Sequence, residues 1–129
     1  MSDQPKPAIG SIGWTDLTIA NAGQLRDFYS AVVGWKSDGL DMGGYQDYVM
    51  AEPDSGKPTA GVCHAKGSNE GLPSVWLVYF TVADLEASLT ATTAQGGTVL
   101  RQPTNAGGQG RYAVIRDPAG AVAALYQSN

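Results

Sequence analysis

Leu17 and Ile19 alternate with Asp16 and Thr18, which predicts a half-buried strand over Ile12–Ile19. The period then changes. Leu25, Phe28, Tyr29 and Val32 fall at i, i+3, i+4 and i+7, one apolar face of a helix over Ala22–Val33. Asn21 stands at the cap position with Gln24 three residues on, and Gly34 suits the left-handed residue that ends a helix. Short strands follow at Trp35–Asp41, Tyr45–Ala51 and Thr59–Ala65, separated by Met42-Gly43-Gly44 and by the Pro/Asp/Ser/Gly-rich turn Glu52–Pro58.

The same order returns in the second half. A strand is predicted over Ser74–Val82, a helix over Leu85–Gln95, and strands over Thr98–Gln102, Arg111–Arg116 and Ala121–Gln127, with a loop at Pro103–Gly108. Leu17 aligns with Phe80, Ile19 with Val82, Asn21 with Asp84 and Gly34 with Gly97. Val49-Met50-Ala51-Glu52-Pro53 aligns with Val114-Ile115-Arg116-Asp117-Pro118. The repeat predicts an α+β fold of two βαβββ modules forming a cleft. Residues 10–65 make module one, 66–73 a linker and 74–127 module two, behind a flexible lead-in at 1–9.

Strand parity sorts the faces. If Leu17, Ile19, Phe80 and Val82 cover the helices, then Trp14, Asp16, Thr18, Leu77, Tyr79 and Thr81 face the other way. By the same count Tyr126 joins that aromatic face and Trp76 faces its own helix. Rings with a few polar tips suit a flat or apolar organic ligand, and the competing reading is that they only pack modules or subunits together.

Composition narrows the classes. The chain of 129 residues carries a net charge of −4 with no Lys/Arg run, which argues against nucleic acid and anionic membranes. Cys63 is the only cysteine, so no disulfide forms within the chain. No apolar run reaches membrane-span length, and the polar start MSDQPKPAIG does not read as a signal peptide, so a cytoplasmic location is expected. Cys63 is expected to be a buried small hydrophobe rather than a nucleophile. His64, the only histidine, reads first as a surface or hydrogen-bonded residue.

Phe28-Tyr29-Ser-Ala-Val32-Val33-Gly34-Trp35 at the end of the first helix, and Asp117-Pro118-Ala119-Gly120 before the last strand, resemble the vicinal oxygen chelate superfamily. That group includes glyoxalase I, bleomycin-binding resistance proteins and extradiol dioxygenases. The segment Gly110–Ala121 is similar to a glyoxalase-like branch lacking the usual metal ligands. Catalytic members hold a divalent metal with His, Glu or Gln on the first and last strands of each module. The resemblance maps those positions to Trp14, Leu77, Ala124 and either Ala60 or Gly61, none of which offers a donor.

The leading expectation is therefore a glyoxalase-like protein, metal-free and without a cofactor, that binds a small organic molecule in an aromatic cleft between modules. Its candidate ligand residues are Trp14, Asp16, Tyr48, Leu77, Tyr79, Arg111, Ala124 and Tyr126. Arg111 and Gln46 hold matching strand positions and are candidates for an anion contact, with a surface arginine as the default reading. One alternative is a lyase or isomerase of the glyoxalase type, with Asp16 and Tyr79 as acid and base or an atypical metal site, for which Asp16 and His64 are the fallback ligands. The other is an interaction module whose face is consumed by dimerisation. A homodimer is expected in either binding reading.

Overall fold

The computed structural model describes residues 6–129, so the part of the expected lead-in at residues 1–5 lies outside the described residues. The chain runs β1 (Ile12–Ile19), α1 (Ala22–Val33), β2 (Lys36–Asp41), β3 (Gln46–Ala51), β4 (Pro58–His64), then β5 (Trp76–Thr81), α2 (Leu85–Ala94), β6 (Thr98–Asn105), β7 (Arg111–Arg116) and β8 (Val122–Gln127). It is an α+β protein built as two βαβββ modules. A 3-10 turn at Gly67–Asn69 lies in the expected linker.

The residues divide into two compact units, Trp14–Trp76 and Leu77–Asn129, the second joined by the segment that ends at Gly13. In the first unit the strand order is β2-β3-β4-β1. β1 runs parallel to β4 and the other pairs are antiparallel. Its core is Ala22, Met50, Ala60 and Val62, with Ile19, Leu25, Trp35, Tyr48 and Trp76 packed against it. Those residues mark the face of the sheet that α1 covers.

The second unit has the order β5-β8-β7-β6, again with one parallel pair, β5 with β8. Leu85 and Leu89 of α2 pack on Ala113 and Leu125, with Val82, Val99 and Ile115 around them. The residues leading into β1 belong here by hydrogen bonding. Gly10 N–H donates to the Thr81 carbonyl at 2.8 Å, and Thr81 N–H to the Ser11 carbonyl at 2.9 Å.

The helices end as their sequences ask, with two exceptions. Asp84 caps α2 by accepting from Ala87 N–H at 3.1 Å. Asn21 makes no such cap; its amide turns along the helix to Gln24 Oε1 at 2.8 Å. Gly34 takes the left-handed conformation (φ 88°) expected of a helix stop. Its aligned partner Gly97 does not, and Gly96 (φ 91°) performs that turn instead. Gly97 is needed for closeness, since a Cβ there would lie 2.9 Å from the Arg116 carbonyl oxygen.

Two strand-face expectations are corrected. Trp76 does not face α2. It packs with Tyr29 of α1 and with Trp35, ring centroids 5.1 Å and 5.9 Å away, and its indole N–H donates to Tyr29 Oη at 3.2 Å. Phe80 shares the helix-side parity of Leu125 but remains 38% exposed, so it covers little of α2.

Candidate functional site

The register of β1 on β4 fixes which side chains share a face. Leu17 pairs with Val62 and Asp16 with Gly61. Val62 is in the core under α1, so Leu17 is on the helix side and Trp14, Asp16 and Thr18 are on the other, with Gly61 and Cys63. Of the two module-one candidates, Ala60 lies in the core under α1 and Gly61 on the face away from the helix.

On that face Trp14 and Asp16 form a unit. The indole N–H of Trp14 donates to Asp16 Oδ1 at 2.5 Å. The same oxygen lies over the backbone of β4, only 2.2 Å from where a Cβ at position 61 would stand. Next along β4, Cys63 is held as a thiol. Burial pushes its pKa well up, and the nearby Asp16 and Asp47 carboxylates push in the same direction. A thiolate nucleophile is therefore not available here at neutral pH.

Asp47 was not foreseen. It is 4% exposed and accepts the backbone N–H of His64 at 2.8 Å. The signal was a carboxylate inside a largely aromatic and apolar strand, Tyr45–Ala51, where a buried polar group demands a partner. His64 itself stays on the helix side, between the rings of Tyr45 (5.5 Å) and Tyr48 (6.1 Å). Its Nδ1 is 3.4 Å from Asp47 Oδ1, too poorly aligned for a hydrogen bond, and is buried without another partner among the described residues. Asp16 and His64 thus project from opposite faces and do not come together as a ligand pair.

Other expected site residues separate in the same way. Tyr48 pairs with Val62 and packs on the core beneath α1, with the Arg26 guanidinium 4.6 Å over its ring. It thus lies on the opposite side of the sheet from Trp14 and Asp16. Arg111 pairs with Gln127 and lies on the α2 side, forked onto Glu86 at 2.8 and 2.9 Å. That contact raises the Arg111 pKa and lowers that of Glu86. Arg111 is a helix–strand tie rather than an anion contact. Gln46 lies against Gly39, where a Cβ would meet its Oε1 at 2.6 Å.

In the second unit Tyr79 pairs with Ala124, and Ala124 with Val114, which places Leu77, Tyr79, Ala124 and Tyr126 on the face away from α2. Leu77 and Ala124 are buried. The Tyr79 ring lies 5.9 Å from that of Tyr112, an aromatic neighbour the parity count omitted. Tyr126 spends its hydroxyl on the Gln109 carbonyl. An open groove of about 500 Å³ lies elsewhere in this unit, beside Ile9, Thr81 and Gln127; no aromatic ring and none of the expected site residues lines it.

Known proteins agree with this architecture. The sequence profile of the Glyoxalase/Bleomycin resistance protein/Dioxygenase superfamily matches residues 11–125. Among curated proteins, the "Putative glyoxylase CFP32" of Mycobacterium bovis is 31% identical over 93% of this chain and 46% of its own length. The "Anthracycline biosynthesis protein DnrV" of Streptomyces peucetius is 31% identical over 93% of the chain and 48% of its own. The chain thus spans about half the length of these relatives. Among solved structures, the methylmalonyl-CoA epimerase of Mycobacterium tuberculosis superposes with a TM-score of 0.54 at 17% identity, over 90% of this chain and 86% of that one. A methylmalonyl-CoA epimerase in complex with methylmalonyl-CoA and NH4+ gives 0.59 at 16%, over 94% and 96%. At that identity the likeness is one of fold.

Proposed function

The chain belongs to the glyoxalase/bleomycin resistance protein/dioxygenase superfamily, and from that premise we propose that it is a metal-independent member that binds a flat aromatic organic molecule on the sheet face carrying Trp14 and Asp16. The observation that carries this reading is the Trp14–Asp16 pair laid over Gly61. An indole offers a stacking surface, and a carboxylate fixed beside it orients any ligand that presents a hydroxyl or amine at its ring edge.

A metal does not fit the residues present. Trp14 and Gly61 stand where the family places ligands in module one and have no side-chain donor for a metal, and Leu77 and Ala124 do the same in module two. The room a ligand side chain would need at Gly61 is taken by Asp16. Among the described residues no three His, Cys, Asp or Glu side chains gather to hold a cation. Elemental analysis of the purified protein is expected to find no stoichiometric zinc, nickel, iron or manganese.

The name of the Streptomyces relative supplies the first probe, an anthracycline. Thermal shift with that probe is expected to raise Tm. A probe present at about 100 times its Kd adds about 2.7 kcal/mol to stability. Trp14→Ala is expected to abolish the shift while Tyr48→Phe leaves it intact. An unchanged shift in Trp14→Ala would place the ligand elsewhere. A homodimer forms part of the same proposal, since the curated relatives are about twice as long; sedimentation equilibrium at the mass of one chain would count against it.

A further inference from the structure

We propose that Gly61 is a positioning residue: the missing side chain at this point of β4 is what allows the Asp16 carboxylate to lie across the sheet and engage the Trp14 indole. The proposal deepens the binding reading above and rests on it for its functional meaning.

The backbone does not ask for glycine at 61. Its φ is not positive, and it sits mid-strand with ordinary cross-strand partners, Asp16 on one side and Val49 on the other. A glycine inside a strand loses cross-strand packing and costs conformational entropy, so its presence calls for a close approach by something else. That something is Asp16. A Cβ at 61 would stand 2.2 Å from Oδ1 and 3.2 Å from Cγ, with Cys63 Sγ next at 3.6 Å. The first two distances are inside contact; only the sulfur is at ordinary range.

Aspartate has no long stem with which to give way. Its carboxylate would have to rotate as a whole, and Oδ1, the atom in conflict, is the atom that accepts the Trp14 N–H at 2.5 Å. One methyl group therefore cannot be added without breaking the Trp14–Asp16 bond. Through that bond Gly61 sets the direction in which the carboxylate meets a ligand, although Gly61 has no side chain with which to touch one.

The indole N–H of Trp14 reports this geometry directly, with no ligand present. In a ¹⁵N-labelled protein the three tryptophan indoles give three proton–nitrogen cross-peaks, and a charge-assisted bond draws the Trp14 proton downfield. In Gly61→Ala that peak is expected to move upfield, to the position it takes in Asp16→Ala, while the Trp35 and Trp76 peaks stay in place. Asp16→Asn, which keeps an acceptor oxygen, should retain part of the downfield shift. An unmoved Trp14 peak in Gly61→Ala overturns the proposal. If Gly61→Ala does not fold, Asp16→Ala/Gly61→Ala decides: with the carboxylate removed, the extra methyl should be accommodated and the double variant should melt with Asp16→Ala alone. A double variant that also fails to fold places the conflict elsewhere and overturns the proposal. The indole shifts are independent of the probe, so an anthracycline that does not bind counts against the binding reading and leaves this result untouched.

Discussion

Cys63 illustrates how a residue's neighbours decide its chemistry. The folded protein keeps its proton well above the pH at which an unfolded cysteine loses it. Because the folded state then holds one more proton than the unfolded state, this term is fully present below the unfolded pKa, roughly 8.5, and declines as pH rises beyond it, by up to about 1.4 kcal/mol per pH unit. Urea titrations between pH 8 and 10.5 are expected to show the parent losing stability faster than Cys63→Ala. Parallel curves would mean that burial does not hold the thiol. A maleimide should likewise label the native protein slowly and the denatured protein fast. The sequence showed no base partner for Cys63 and so favoured a small hydrophobe; the carboxylates of Asp16 and Asp47, from β1 and β3, were not visible as its neighbours, because sequence does not state register. The same gap put Tyr48 among the ligand candidates and left the face of Arg111 open. Each lies in a correctly expected strand, yet pairing with Val62 and Gln127 turns both to the helix side.

At the level of elements, the two helices differ in how their ends are satisfied. Asp84→Ala removes a real cap and is expected to cost about 1 kcal/mol in chemical denaturation. Asn21→Ala removes none and should fall within about 0.5 kcal/mol of the parent. Equal losses at both positions would show that the Asn21–Gln24 contact acts as a cap after all. The strand limits were legible wherever period 2 met a Gly/Pro turn, as in Ile12–Ile19 and Arg111–Arg116. β6 was expected to stop at Gln102, yet it continues to Asn105 through Pro103. It lies at the edge of its unit, and its register slips between Val99 and Arg101 and again between Arg101 and Thr104. An irregular edge strand can hold a residue that lacks an N–H, which a central strand could not.

For the whole molecule, apolar content is a poor guide to where stability resides. Leu85 is fully buried in the core of its unit, and Leu85→Ala is expected to cost about 2–5 kcal/mol. Phe28 and Val32 were expected on the buried stripe of α1, but they are 52% and 63% exposed. Phe28→Ser and Val32→Ser should each change the stability of a single chain by about 0.5 kcal/mol or less, a result that differential scanning calorimetry at low concentration can check. Trp76→Ala should cost less than the roughly 3–5 kcal/mol of a fully buried ring, since Trp76 is only partly enclosed. The repeat and the order of elements could be read from periodicity, which is a local property, and so could the faces of β1; the exposed half of α1's apolar stripe and the surroundings of Trp76 could not. Which residue of one strand lies beside which of another could not, and the Trp14–Asp16–Gly61 arrangement depends on that.

The division at Trp76 has a consequence for the order of events during synthesis. The first unit needs Trp76 to complete the ring cluster with Tyr29 and Trp35, yet Trp76 is the first residue of β5 and emerges from the ribosome after the linker. The second unit includes Gly10 and Ser11, made early, whose hydrogen-bonding partner is Thr81. A nascent chain that stops at residue 73 is thus expected to resemble neither unit complete: its first module lacks one wall, and its leading segment has nothing to pair with. Domains generally fold as units, the N-terminal one first, while the chain is being made. Here that first closure waits about ten residues beyond the apparent end of module one. Arrested chains released at residue 73 and at residue 84 should therefore differ sharply in protease resistance, the longer one alone protecting Trp14–Trp76.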